Sequence, residues 1–288
     1  MEICVNLSDE LKMNVTLIIS TYNWKEALYL VLLSVKRQVR IPNEVIIADD
    51  GSNEDTRIMI DKVRTDFPCR LIHVWKKHEN FHKSSIMNKA FSISKGEYII
   101  QIDGDIIIDK NFVKDHASSS RKGYFLHGSR GKLNYELTNH ITKTGNYDLH
   151  FYTSGLRHKI NVMRMPLLTP FFYMNKDDRG CNMSFWRRDV MNVNGYDERI
   201  KGYGWEDIDL SERLRRSGIK FRFIKFKAIE YHLEHKCRAT TDVLNRNGNI
   251  FSDNNTNNIT YVLYGIVKPN ETIAQSRAKA RQQVREPQ

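Results

Sequence analysis

The chain has 288 residues, 40% of them apolar and 10% aromatic, which is enough to bury a sizeable core and argues against disorder. Its formal charge of +11 points to anionic partners, but nucleic acid, an anionic membrane face and a phosphorylated substrate all fit that sign. No apolar run approaches bilayer length, and residues 1–14 lack a basic start followed by an apolar core, so the expected location is the cytosol.

Residues 15–20 are almost wholly apolar, as in a parallel strand covered on both faces, and an amphipathic stretch at 24–38 follows. Asn23 and Glu26 have the spacing of a capping box. A second apolar strand at 44–48 ends in Asp49-Asp50-Gly51-Ser52. A helix at 54–65, a strand at 70–75, a helix at 83–94 stopped by Gly96 and a strand at 97–102 come next. Alternating strands and helices imply a mostly parallel sheet with right-handed crossovers, whose ligands bind beyond the carboxyl ends of the strands. Polar residues gather there, and neither a P-loop nor a G-x-G-x-x-G follows any strand.

Beyond residue 110 the pattern loosens. A strand is expected at 124–129, and 135–172 is a long aromatic and basic insertion of open secondary structure. A short helix from about Arg187, a helix from Glu206 to a stop at Gly218 and a basic strand at 220–227 lead into Tyr231-His232-Leu233-Glu234-His235. Residues 238–258, rich in Asn, Thr and Asp, read as loop, and 271–288 as a polar tail with helical character. The expected organisation is an extension at 1–14, one large domain at 15–236 with a division near residue 108, and a tail at 237–288. Cys4, Cys69, Cys181 and Cys237 lack C-x-x-C spacing and are read as reduced thiols.

Asp103 and Asp105 flank Gly104 at a strand end, so both carboxylates can face one hard divalent cation; an acidic turn would use the same residues. Glu206 and Asp207 open a helix, where the helix dipole alone favours acids, yet Tyr203-Gly204-Trp205 precedes them and offers aromatic faces to a sugar. His82 and Lys83 stand ahead of another helix and suit a diphosphate as well as they suit an ordinary basic helix start.

Ser-Thr-Tyr-Asn, Asp-Asp-Gly-Ser, Gly-Glu-Tyr-Ile-Ile before Asp-Gly-Asp, Gly-Cys-Asn-Met-Ser, Asn-Gly-Tyr-Asp, Trp-Glu-Asp-Ile-Asp-Leu and Tyr-His occur in that order over residues 15–236. Together they resemble the inverting family 2 glycosyltransferases of the GT-A type. The carboxyl half is similar to members that transfer galactose or N-acetylgalactosamine, including chondroitin-type polymerases. The resemblance implies that the half at 15–108 is nucleotide-binding and the half at 109–236 acceptor-binding. It implies a UDP-sugar donor contacted by Ser20, Tyr22 and Asp50, with Tyr22 stacking on the base and Asp50 accepting the uracil imide hydrogen. His82 and Lys83 would meet the diphosphate. It further implies Mn²⁺, or Mg²⁺, on Asp103, Asp105 and His232, with His235 competing for the third place; an imidazole ligand leans the choice to Mn²⁺. Asp207 would be the general base, and Glu206, Tyr203 and Trp205 would hold a glycan or lipid-linked acceptor. Trp205 stands where relatives commonly carry a small residue, which would reshape the acceptor pocket.

Other readings are a non-catalytic sugar-nucleotide-binding subunit and a nucleic-acid module using residues 135–172. The ordered carboxylates would repel a phosphate backbone, so no nucleic-acid partner is expected. The basic excess suits an anionic donor or peripheral contact with the inner membrane face.

Overall fold

The computed structural model describes residues 13–79, 81–172, 180–236 and 239–287; Cys4, Cys237 and nearly all of the expected N-terminal extension lie outside them. Its frame is an eight-stranded, mostly parallel sheet. Strands β1 (Val15–Thr21), β2 (Glu44–Asp49), β3 (Arg70–Trp75) and β4 (Tyr98–Asp103) run parallel in the order β3-β2-β1-β4. Helices α1 (Lys25–Lys36), α2 (Glu54–Arg64) and α3 (Lys83–Ile93) make the crossovers. All six residues of β2 are buried and so are the apolar residues of β1, which is why both read as continuous apolar runs.

Register decides what meets at the crevice. β1 pairs Thr21 with Asp49 on one side and Ser20 with Asp103 on the other, so three strand ends lie side by side. Gly104 then turns sharply, its N–H donating to Ser20 O at 2.6 Å, and a Cβ there would lie 2.9 Å from that oxygen.

The chain continues through β5 (Ile106–Ile108), α4 (Phe112–Ser119), β6 (Tyr124–His127), β7 (Arg130–Leu133) and α5 (Tyr135–Thr144). The open 135–172 insertion thus begins as a helix, capped by Asn134, and goes on through β8 (Leu156–Arg157) and two 3-10 segments, Lys159–Val162 and Pro166–Phe172. Then come β9 (Asn182–Trp186), α6 (Arg187–Asn192), α7 (Glu206–Arg216), β10 (Lys220–Phe223) and β11 (Glu230–His232). β9 lies antiparallel between β4 and β6, with Ile102 opposite Asn182, and so carries Gly180 and Cys181 to the end of β4. A second, four-stranded sheet, β5-β11-β7-β8, sets His232 opposite Ile106, next to Asp105.

Two local expectations are corrected. Asn23 does not cap α1: it adopts φ 48°, and its side chain accepts from Asn53 N at 2.9 Å, tying two loops of the crevice together. The loop expected over 238–258 is replaced at Thr241–Thr256 by helix α8. Its polar residues are used inward: buried Asn254 donates to Asp197 and Asp209 at 3.0 and 2.8 Å, and buried Asn247 to Lys201 O at 2.9 Å. The tail ends in α9 (Ile273–Arg281), packed on α3, and β12 (Val284–Arg285), which pairs with β3.

Candidate active site

A cleft of about 1270 Å³ opens at the carboxyl ends of β1, β2 and β4 and is closed on the far side by α7 and α8. Asp103 and Asp105 stand at its floor, on either side of Gly104, but face different partners. Asp103 Oδ1 accepts from Ser20 Oγ at 2.7 Å and pairs with Lys83 Nζ at 2.9 Å. Ser20, expected as a nucleotide contact, thus orients Asp103. Asp105 Oδ2 lies 3.0 Å from His235 Nε2 and 3.7 Å from His232 Nε2. Burial works against the Asp105 carboxylate, yet the two imidazoles outweigh it and hold its pKa below the usual range. Its hydrogen bond to Asp105 raises His235 to about 9, whereas burial lowers His232.

These residues fit a divalent cation. Asp105, His232 and His235 each offer one ligand atom, all within 4.8 Å of one another, and Asp105 Oδ1 is buried without a hydrogen-bond partner among the described residues. Both histidines lie in this group, whereas Asp103, expected as a ligand beside Asp105, lies outside it, two residues away and held by Ser20 and Lys83.

The second acid pair opens α7. Lys83 Nζ reaches across to Asp207 Oδ2 at 3.4 Å, so one buried ammonium joins Asp103 to Asp207. Burial opposes its charge, but the two carboxylates prevail and keep its pKa well above the ordinary lysine value. Asp207 Oδ1 accepts from the Tyr196 hydroxyl at 2.7 Å, and that hydroxyl accepts from Gln101 Nε2 at 2.7 Å. Gln101 also donates to Gly180 O at 2.9 Å. Gly180 must lack a side chain, since a Cβ there would fall 1.9 Å from Asp207 Oδ1. Glu206 is buried, and burial followed by the neighbouring Asp207 charge raises its carboxyl to about 7. Its Oε2 has no hydrogen-bond partner among the described residues.

The remaining expected residues divide. Tyr22 lines the cleft with one face of its ring stacked on His78, centroids 4.4 Å apart. Asp50 also lines it, but its oxygens already pair with Lys76 Nζ at 2.6 Å and accept from His82 N at 2.7 Å. The His82 ring turns away, donating to Glu198 O at 3.0 Å in a neighbouring depression, so Lys83 alone of that pair enters the cleft. Half-exposed Tyr203 lines the cleft just ahead of α7. Trp205 does too, but its ring stacks on Phe251 of α8, centroids 5.0 Å apart, and its backbone takes φ 75°. A bulky residue in that left-handed region stores strain of about 1–3 kcal/mol, which the stacking offsets.

Gln101, Tyr196, Gly180 and the cleft-lining Arg130 were assigned no role from the sequence, although Gly180 and Tyr196 stand in two of its motifs. Gln101 did leave a signal: it is a polar residue inside an otherwise apolar strand. Tyr196 stood in the Asn-Gly-Tyr-Asp motif, but its role was not legible there, because its hydroxyl finds Asp207 only through the packing of α7.

A mostly parallel sheet with Asp103 and an Asp105-His232-His235 cluster at its strand ends, faced by a second acid pair on a later helix, is the build of GT-A glycosyltransferases. A model of glycosyl transferase family 2 matches residues 16–181, and the chain belongs to that family. A model described as the N-terminal domain of galactosyltransferase matches residues 169–236, the block that holds Glu206, Asp207 and His232. The chain is 27% identical over 270 residues to the uncharacterized glycosyltransferase YfnE of Bacillus subtilis, covering 80% of this chain and 68% of YfnE. It is 25% identical over 245 residues to a chondroitin synthase of Escherichia coli, covering 76% of this chain and 34% of the synthase. Among solved structures, S. aureus TarS 1–349 in complex with UDP-GlcNAc superposes with a TM-score of 0.55 at 17% identity, over 78% of this chain and 60% of that one. The chain thus spans about a third of the synthase and three-fifths of the TarS chain. The structural likeness establishes the shared fold.

Proposed function

We propose that this chain is a metal-dependent inverting transferase that moves a hexose or N-acetylhexosamine from a UDP-sugar to a hydroxyl of a glycan, free or lipid-linked. The observation that carries the reading is the Lys83 bridge, which sets a donor-side carboxylate and an acceptor-side carboxylate around one ammonium in a single cleft. The UDP-GlcNAc bound by TarS supports the donor class.

The diphosphate lies over the floor of the cleft, where Lys83 and Arg130 supply positive charge. Asp105, His232 and His235 would hold Mn²⁺ or Mg²⁺, which when bound neutralises charge on the leaving nucleotide. Tyr22, backed by His78, covers the base. Glu206, whose carboxyl is raised to about 7 and so holds its proton in about half of the molecules at neutral pH, donates to the acceptor in that form, and Tyr203 packs against its ring. Tyr196 fixes Asp207 Oδ1, and Oδ2, which meets Lys83 Nζ only at 3.4 Å, is the proton acceptor. The acceptor oxygen then bonds to the anomeric carbon as the bond to UDP breaks, its proton passes to Asp207, and the configuration inverts. The basic surface would keep the enzyme at the inner face of the membrane, in the cytoplasm.

A panel of UDP-sugars assayed with Mn²⁺ tests this. One donor should support transfer, and Asp207→Asn should cut kcat by about 10²–10⁴-fold with donor affinity retained. Full transfer by that variant would refute the role of Asp207. Donor binding without turnover under every condition would favour a non-catalytic subunit.

A further inference from the structure

Residues 149–172 contain no Asp or Glu, while Arg157, Lys159 and Arg164 are cationic. The same stretch holds the most exposed large apolar side chains among the described residues: Leu167 is 87% exposed and Phe171 81%, with Ile160 at 64%. These are not loose ends of a poorly anchored loop. Thr169, between the two most exposed residues, is buried and donates to Lys225 O at 2.7 Å, and Asn161 donates to Arg130 O at 3.2 Å. Arg164 forms a two-pronged pair with buried Asp115. The frame is therefore held from below while its leucine and phenylalanine are presented outward, an arrangement that loses free energy in water unless something covers it.

We infer that this face is a membrane-docking surface, with Leu167 and Phe171 entering the acyl boundary of an anionic leaflet and Arg157 and Lys159 meeting its headgroups. Exposed apolar side chains in a stretch whose formal charges are all cationic match a lipid interface. Leu167 and Ile160 offer no face on which a nucleobase would stack, so the chemistry favours lipid over nucleic acid. The position is also useful. Arg157, at the head of the segment, pairs at 3.6 Å with Glu234, which lines the cleft beside His235. A bilayer contact here would bring the cleft to acceptors carried in that bilayer. The inference rests on the peripheral-membrane part of the reading above, but not on the transfer chemistry.

The test is co-sedimentation with phosphatidylcholine vesicles, with and without phosphatidylglycerol, in the absence of donor and acceptor. The wild-type chain should bind only the anionic vesicles and keep part of that binding in high salt, because the apolar contribution is unscreened. The double variant Leu167→Ser, Phe171→Ser should lose on the order of a hundredfold in partitioning, yet transfer normally to a water-soluble acceptor. As a second measurement on a folded chain, Leu167→Trp should show blue-shifted emission on anionic vesicles and quenching by brominated lipid. Unchanged emission, equal vesicle binding by the double variant, or no binding by the wild type would overturn the proposal. So would a drop from dimer to monomer in the double variant, since a second copy would then be the occupant. Total failure of sugar transfer would leave the vesicle result standing.

Discussion

Glu206 shows how a functional group can cost stability. In the folded chain its carboxyl titrates near 7, well above its ordinary value, because burial and the Asp207 charge disfavour ionisation. Between the two values the folded state keeps a proton that the unfolded state has released. Stability is therefore lost as pH rises through that window, by about 3 kcal/mol at its upper end. Buried His116, lowered to about 4 by burial, acts in the opposite sense, since the unfolded state gains a proton first as pH falls below its ordinary value. The contribution of Glu206 is thus the difference between wild type and Glu206→Gln. In urea unfolding that variant should be the more stable chain at pH 8 and lose the advantage by pH 5, while binding acceptor less well. At Gly180 the constraint is steric. Gly180→Ala drives a methyl into the Asp207 carboxylate, so transfer should fall at least tenfold while circular dichroism stays that of the wild type.

At the scale of elements, what was readable followed from burial on both faces. The strands β1, β2 and β4 carry their apolar runs because helices cover the sheet on each side, and the crossovers between them follow from handedness. The site residues at their ends were legible for the same reason. Helix α8 was not, since Asn247, Asn254 and Gly248 all weigh against a helix when judged locally. Tertiary contact reverses that weighting. Asn254 satisfies two buried carboxylates, and a Cβ on Gly248 would already touch the Trp205 ring at 3.4 Å, so a side chain longer than a methyl would crowd the stack. Asn254→Ala should cost about 1–3 kcal/mol in urea unfolding, because Asp197 and Asp209 are left short of a donor. The His82 ring was misjudged for a related reason: its place ahead of a helix said nothing of the Glu198 carbonyl that draws it out of the cleft.

For the whole molecule, binding and folding are linked. Mn²⁺ together with the correct UDP-sugar should raise the melting temperature by several degrees at saturating concentrations, and Asp105→Ala should abolish the metal-dependent part. The two ends of the large sheet carry a different consequence. An uncovered strand is a template for joining further chains, and β3, with the sequence Arg-Leu-Ile-His-Val-Trp, would make an apolar one. β12 covers it: Val284 lies opposite Val74, and the Arg285 guanidinium sits 3.9 Å from the centre of the Trp75 ring. The opposite edge, β10, protects itself with Lys220 and Arg222. A chain cut after Gln282 should therefore keep its catalytic cleft and yet precipitate, seen as light scattering that grows with concentration, because two residues at the carboxyl end act as the gatekeeper of the sheet.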